Sequence, residues 1–177
     1  MTGNDSAAGK QVAFSFVCPK CGDKHEGSPS IGFASPHGWD ESFRAKDPES
    51  YKLTEDLCII DSDRFIRCIL EVPILEAAQP FLWGVWVSQS QENFRLYAET
   101  FESSPERVTF GYLCNRIPEY ADTLNLHMHV HWQSNNQRPW LEIEPAEHRL
   151  YYDWKDGIAW DRAMELALPL QHQALSR

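Results

Sequence analysis

The segment from Thr123 to Gln133, TLNLHMHVHWQ, decides the fold, because its side chains alternate over its whole length. One set is apolar and consists of Leu124, Leu126, Met128, Val130 and Trp132. The other set is polar and consists of Asn125, His127, His129, His131 and Gln133. Successive side chains of a strand point to opposite faces, so this pattern predicts a strand with one buried and one polar face.

The segments around this strand extend it into a sheet. Asn135-Asn136 predicts a turn, and Arg138–Glu144 is expected to return as the hairpin partner. Upstream, Val108–Cys114 predicts a further strand that ends before the turn marked by Pro118.

More strands are predicted in the first half of the chain. Leu57–Ile60 and Phe65–Val72 are separated by Asp61-Ser62-Asp63, which suits a tight hairpin. Phe81–Val87 reads FLWGVWV, which is typical of a central strand covered on both faces. Gly84 in its middle indicates a bulge or a close approach of another backbone.

Helical spacing occurs in two segments. In Gln91–Glu102 one apolar stripe is formed by Phe94, Tyr97, Ala98 and Phe101. Ser88 is placed to begin a capping box for this helix, and Ser90 is a competing N-cap. Trp160–Leu168 shows the same spacing, and Pro169 is expected to end or kink that helix.

Strands in largely meander order with two helices define an α+β class. We expect a mainly antiparallel sheet of about six or seven strands, two helices and an N-terminal turn resembling a zinc knuckle. Gln11–Val17 predicts a short strand before that turn, and the aperiodic region 26–50 predicts a long loop with one helical turn near Asp40–Lys46. The length of 177 residues suits one domain, residues 11–177, with a cysteine-containing segment at 11–30 and a disordered tail at 1–10.

The composition restricts the classes of partner. Hydrophobic residues make up 42% of the chain, including seven Trp and nine Phe, which indicates a globular protein. The net charge of −10 opposes sequence-independent nucleic-acid binding, which needs an excess of Lys and Arg, and favours a basic protein partner. The five cysteines, the polar N-terminus and the lack of a long apolar run predict a cytoplasmic protein with reduced thiols, not held in a membrane.

The strongest chemical motif is Cys18-Pro19-Lys20-Cys21-Gly22, which His25 follows closely. Two thiolates separated by two residues can bind one metal ion, but the second such pair of a zinc ribbon is missing. We therefore expect His25 and Cys58 to complete a structural zinc site with Cys18 and Cys21. The alternative is a turn of reduced thiols with a buried Cys58.

Several strings accompany this motif along nearly the whole chain from about residue 12. They include Asp56-Leu57-Cys58-Ile59-Ile60-Asp61, Phe65-Ile66-Arg67, Leu70-Glu71-Val72-Pro73-Ile74, Trp83-Gly84-Val85-Trp86-Val87-Ser88, Phe110-Gly111-Tyr112-Leu113 and Leu141-Glu142-Ile143-Glu144-Pro145. Together they resemble an uncharacterised bacterial family, the domain of unknown function 2199. The resemblance implies a soluble bacterial domain with no established activity, and the chain departs from the family pattern at His127, His129 and Cys114.

The polar face of the alternating strand offers a second chemistry. Its histidines are His127, His129 and His131, and a His-x-His pair can share a catalytic zinc. Glu142 and Glu144 point to one side of the next strand, where paired carboxylates can perform acid–base work. The simpler interpretation is a solvated strand face whose glutamates pair with an arginine, for which Arg67, Arg138 and Arg149 are the candidates.

No Gly-rich phosphate loop and no nucleophile elbow occurs in the sequence. We therefore predict a non-enzymatic protein-interaction domain with a structural metal knuckle, analogous in size and charge to toxin-neutralising immunity proteins. The alternative is a metal-assisted hydrolase that uses the strand histidines and the nearby carboxylates. The candidate binding surface consists of Arg67, Glu71, Trp86 and His148.

Overall fold

The computed structural model describes residues 12–103 and 106–171, with side chains as far as Leu168. The predicted tail at residues 1–10 lies outside the described residues. All five cysteines and six of the seven histidines lie inside them.

Ten strands, three α-helices and one 3-10 helix occur in the described residues. The strands are β1 (Ser15–Val17), β2 (Lys24–Glu26), β3 (Ser30–Gly32), β4 (Tyr51–Leu53), β5 (Leu57–Ile60), β6 (Asp63–Val72), β7 (Phe81–Gln89), β8 (Val108–Tyr112), β9 (His127–His131) and β10 (Trp140–Ile143). The α-helices are α1 (Gln91–Thr100), α2 (Arg149–Asp156) and α3 (Trp160–Gln171), and the 3-10 helix covers Glu41–Ala45. The α+β class is confirmed, with more strands than predicted and with α2 as an additional helix.

The main sheet has eight strands and is mixed. Its path is β3-β7-β6-β10-β9-β8, and β5 pairs with both β6 and β4, while β1 and β2 form a separate hairpin. The β3–β7 and β6–β10 pairs are parallel, and the other pairs are antiparallel. The sheet is therefore not purely antiparallel. The region predicted as a loop at 26–50 contributes β3 parallel to β7, and β10 runs parallel to β6.

The sheet curls until β8 meets β7. An antiparallel bridge joins Val87 to Leu113, and the backbone N–H of Tyr112 donates to Oγ of Ser88 at 3.0 Å. Gly111 permits this approach, since a methyl group built on it would lie 2.2 Å from the carbonyl oxygen of Ser88. The side chains on the inner face of the curled sheet therefore pack into a hydrophobic core.

Helix α1 begins at Gln91, as predicted, but its N-cap lies two residues after Ser88, the first residue of the predicted capping box. Ser88 remains within β7, whereas Ser90 is the N-cap, and its Oγ accepts the backbone N–H of Asn93 at 3.1 Å. The capping box at Ser88 is therefore wrong, and the competing N-cap at Ser90 is confirmed.

Strand β7 is central, as its apolar sequence predicts. It lies between β3 and β6, and seven of its nine residues are buried. Trp83 and Val85 belong to the main core, whereas Trp86 belongs to a smaller cluster with Cys58 and Phe65. Both faces are thus covered, although by different parts of the chain.

The main core lies between the inner face of the sheet and the three α-helices. Its helical members are Phe94, Tyr97, Leu150, Ala163, Leu166 and Ala167. Phe14, Phe16 and Cys18 join it from the N-terminal hairpin segment. The core therefore connects the first described residues to the last helix.

The alternating segment forms β9, but the strand is shorter than predicted. Met128 and Val130 are fully buried, whereas His127 is exposed and His129 and His131 are half-buried, which confirms the two-faced pattern. Before the strand, Asn125 adopts φ +62° in a turn. The buried Thr123 hydroxyl accepts the backbone N–H of Ile117 and donates to the carbonyl of Asn115, which holds the loop before this turn. Asn135 and Asn136 also have positive φ and confirm the turn between β9 and β10.

The C-terminal helices differ from the prediction. Helix α2 was not predicted; His148 is its N-cap, and its Nδ1 accepts the backbone N–H of Leu150 at 3.1 Å. Helix α3 continues to Gln171, so Pro169 does not end it. In the described ranges, no helix combines the length and the apolar character that a membrane crossing requires.

Candidate functional site

The Cys-x-x-Cys turn connects β1 to β2 and has the shape of a metal-binding knuckle. The backbone N–H of Gly22 donates to the carbonyl of Cys18, and the N–H of Cys18 donates to the carbonyl of Asp23, both at 2.8 Å. Gly22 adopts φ +78°, a left-handed conformation that glycine adopts without strain. This turn holds both sulfurs toward the start of β2.

Strand β2 completes the group by presenting His25 to the turn. The ligand atoms of Cys18, Cys21 and His25 all lie within 4.8 Å of one another, and Cys21 Sγ is 3.5 Å from His25 Nε2. No other cluster of three such side chains occurs in residues 12–103 and 106–171. Two thiolates and an imidazole are a donor set that suits zinc. We call this group the knuckle site.

Cys58, the predicted fourth ligand, is not part of the knuckle site. It is fully buried in the smaller cluster with Phe65 and Trp86, on the outer face of the sheet. Burial raises the pKa of its thiol to about 12. The structure therefore brings together three of the four predicted ligands, with His25 among them.

The thiols of the knuckle site influence each other. A backbone hydrogen bond from Asp23 lowers the pKa of Cys21, but desolvation and the adjacent Cys18 outweigh it, so that the pKa lies above its usual value. Since a metal binds the thiolate, binding at this site must displace protons from the sulfurs.

The knuckle site is joined to the core by aromatic side chains. Phe16 lies opposite His25 in the β1–β2 hairpin, and the two ring centroids are 5.3 Å apart. Phe14 contacts Trp160 of α3 at a centroid distance of 4.7 Å. Because Cys18 is 1% exposed whereas Cys21 is exposed, the site lies at the boundary between the core and solvent.

A second candidate surface lies on the outer side of β8, β9 and β10. We call it the histidine face, and it consists of Val108, Phe110, Tyr112, His127, His129, His131, Trp140, Glu142 and Glu144. The neighbouring strands place Phe110 opposite His129 and Tyr112 opposite His127. Its aromatic residues are unusually exposed, with Phe110 and Tyr112 at 42% and Trp140 at 40%.

The glutamates of the histidine face pair with its histidines. Glu144 lies 3.1 Å from Nδ1 of His127 and 3.3 Å from Nε2 of His129. Glu142 lies 3.1 Å from Nε2 of His131. The predicted alternative of arginine partners is therefore wrong, because the β9–β10 register places these carboxylates beside imidazoles.

The candidate arginines have other contacts. Arg138 pairs with Asp56 at 2.5 Å, and Arg149 pairs with Asp153 at 2.6 Å. Arg67 has no ion pair among those found in the described ranges. The strand histidines, for their part, do not assemble into a group of three metal donors there.

The four residues of the predicted binding surface do not form one surface. Trp86 is fully buried, and its indole N–H donates to the carbonyl of Phe33 at 3.0 Å, so it offers nothing to a partner. His148 caps α2, and its Nε2 is buried without a hydrogen-bond partner. Glu71 is exposed, and Arg67 is half-buried.

Glu71 lines a cleft that sequence reasoning missed. Its volume is about 740 Å³, and its walls include Pro73, Trp140, Trp154 and Lys155. These residues come from two strands, a loop and helix α2, and no local pattern in the sequence brings them together.

These observations define the class as an α+β domain with a curled mixed sheet and an N-terminal Cys₂His group. Residues 17–158 match a family described as an uncharacterised protein conserved in bacteria, DUF2199, and the chain belongs to this family. The resemblance found in the sequence motifs is thereby confirmed. Comparison with curated proteins gave no match, and comparison with solved structures gave none either.

Proposed function

We propose that this chain is a cytoplasmic, non-enzymatic protein-recognition domain whose N-terminal hairpin is stabilised by a structural zinc ion. The histidine face is the recognition surface, and the partner presents a basic segment. The observation that carries the proposal is the row of exposed aromatic side chains beside paired carboxylates on one sheet face.

The zinc ion belongs to the architecture of the domain. Strands β1 and β2 pair over three residues each, and such a short hairpin is marginal by itself. Structural zinc contributes on the order of 10 kcal/mol at neutral pH, which exceeds the conformational cost of ordering a few residues. The proposed ligands are Cys18, Cys21 and His25, whereas Cys58 packs in the smaller cluster.

The histidine face has the composition of a recognition surface. Exposed aromatic residues are enriched at protein interfaces because they bury a large area with few rotatable bonds. On this face, Phe110, Tyr112 and His127 contact one another edge to face, with ring centroids 5.0–5.3 Å apart. Such a rigid cluster loses little entropy when a partner covers it.

The charge of the chain specifies a basic partner. The net charge is −10, and Glu142 and Glu144 lie within the face itself. Acidic surfaces accelerate association with basic partners and repel nucleic acid. An immunity protein that neutralises a basic toxin is one class that fits, and reduced cysteines without disulfides agree with a cytoplasmic location.

A peptide-display selection against the purified protein tests the proposal. Selected peptides should be rich in Lys and Arg, and their affinity should fall at least tenfold for the double variant Tyr112→Ala/Trp140→Ala. The matched control is Tyr152→Ala, since Tyr152 is 47% exposed but lies on α2 and is not one of the residues of the face. Selected peptides that bind the double variant and the wild type equally would contradict the proposed surface.

A further inference from the structure

Arg67 occupies an unusual position on the outer side of β6. It lies opposite Trp86 in the β6–β7 pair, and two glycines flank its guanidinium. A methyl group built on Gly32 would lie 2.5 Å from Nη2 of Arg67, and one built on Gly84 would lie 3.7 Å from the same atom. The guanidinium therefore occupies space that side chains at these positions would fill.

The guanidinium is poorly satisfied by the protein. Its Nη1 donates to the carbonyl of Glu55 at 3.5 Å, which is a weak contact, and its Nε is buried without a partner. Arg138, by contrast, donates from its Nε to the carboxylate of Asp56 at 2.5 Å. Buried donors are nearly always hydrogen-bonded in folded proteins, so the unused Nε of Arg67 suggests a missing acceptor.

The electrostatic surroundings also favour an added negative charge. Desolvation, and then the nearby Arg138, lower the pKa of Arg67 despite the opposing effects of Asp56 and Glu55. Asp56 is already engaged by Arg138, and no carboxylate of the described residues lies within ion-pair distance of Arg67. A bound anion would supply the directly paired acceptor that Arg67 lacks.

We propose that Arg67, in the recess made by Gly32 and Gly84, binds a carboxylate group. A guanidinium presents a planar fork of donors that matches a carboxylate in two parallel hydrogen bonds. A carboxylate monoanion meets less repulsion from Glu55 and Asp56 than a phosphate dianion does, so the single positive charge of Arg67 favours the carboxylate. This site goes beyond the proposed recognition of a basic segment, because it takes a ligand of the opposite charge.

The test follows the Nε–H resonance of Arg67 by ¹H–¹⁵N NMR while sodium acetate replaces sodium chloride at constant ionic strength. A saturable shift is expected with acetate, and a shift at least tenfold weaker with phosphate. An acetylated glycine peptide is compared as free acid and as amide. Tighter binding of the acid form than of acetate assigns the site to a chain terminus, and equal binding assigns it to a small carboxylate.

Three variants make the result specific. Arg67→Gln should lose the saturable shifts of neighbouring backbone amides, and Arg67→Lys should weaken binding at least tenfold because it lacks the fork. Gly32→Ala should weaken binding with no change of charge, since its methyl group displaces Nη2. Arg95→Gln is the charge-matched control on exposed α1 and should bind as the wild type does.

The proposal is overturned by either of two results. One is the absence of a saturable acetate shift at Arg67 in the wild type. The other is equal acetate affinity in the wild type and in Arg67→Gln. Binding of selected basic peptides is measured on the same variants, so that failure of this site and failure of the histidine face are distinguished.

Discussion

The imidazole of His131 lies flat against the indole of Trp140, with ring centroids 3.6 Å apart and planes inclined by 7°. The two residues are direct partners in the β9–β10 register. A cross-strand aromatic contact of this kind stabilises both the hairpin and the shape of the histidine face. It also fixes the indole at the edge shared with the large cleft.

This contact predicts a measurable coupling between the two residues. Double-mutant cycles with His131→Ala and Trp140→Ala should give a coupling of about 0.5–1 kcal/mol in the free energy of unfolding, the range of cross-strand and aromatic pairs. Urea unfolding provides the measurement. The control cycle pairs Trp140→Ala with His127→Ala, whose ring contacts Phe110 and Tyr112 instead. A coupling as large in the control cycle would contradict the prediction.

The knuckle site predicts one metal ion per chain. Cys21→Ser should abolish metal binding, and because Cys21 is exposed, its direct effect on packing should be small. Free zinc at one hundred times its Kd stabilises a protein by about 2.7 kcal/mol, so the variant should lose at least this increment. Metal analysis and thermal unfolding with and without a chelator provide the measurements.

The variant Cys58→Ser tests whether the metal site has three protein ligands, as the structure indicates, or also includes Cys58, as predicted from the sequence. Cys58 lies in the smaller cluster with Phe65 and Trp86, so its substitution should reduce stability but leave the metal stoichiometry unchanged. Loss of metal from Cys58→Ser would show that this thiol is a ligand after all.

Helices and strands could be predicted from the sequence where the spacing of apolar side chains follows their burial in the core. The alternation around Met128 and Val130 predicted β9, and the apolar run of β7 predicted its central place. Strand β3 was missed because three residues carry no period, and its position depends on Gly32 lying against Gly84. Parallel pairing of distant segments leaves no local signal in a sequence.

The candidate sites were predictable to different degrees. Local spacing brought Cys18, Cys21 and His25 together, since a turn and a short strand suffice. The prediction that Trp86 lies on a binding surface was wrong, since this side chain is buried in the smaller cluster. An aromatic residue on a strand does not indicate which segment of the chain covers it. The glutamate–histidine pairs of the histidine face depend on the strand register, which the sequence did not specify.

Alkaline pH should destabilise the protein through the half-buried thiol of Cys114. Burial raises the pKa of Cys114 from 9.0 to about 11, against lowering hydrogen bonds from Ser88. Between these values the unfolded state releases its proton while the folded state retains it, so the free energy of unfolding falls as the pH rises. Cys114→Ser keeps a donor for the carbonyl of Tyr112 but does not titrate.

The variant should therefore lose less stability than the wild type between pH 9.0 and about 11, the interval set by these two pKa values. Urea unfolding at several pH values provides the comparison. Parallel pH profiles for the two proteins would show that Cys114 does not contribute to the decline.

The close contact between β8 and β7 predicts that substitution of Gly111 strongly destabilises the protein. A methyl group there would lie 2.2 Å from the carbonyl oxygen of Ser88 and 2.5 Å from the side chain of Val87, so β8 must separate from β7. Gly111→Ala should cost about 1–3 kcal/mol in the free energy of unfolding, as overpacking does. Gly32→Ala is the matched control, because its methyl group meets the flexible end of Arg67 and little else. Equal stability of the two variants in urea would show that β8 does not need its close contact with β7.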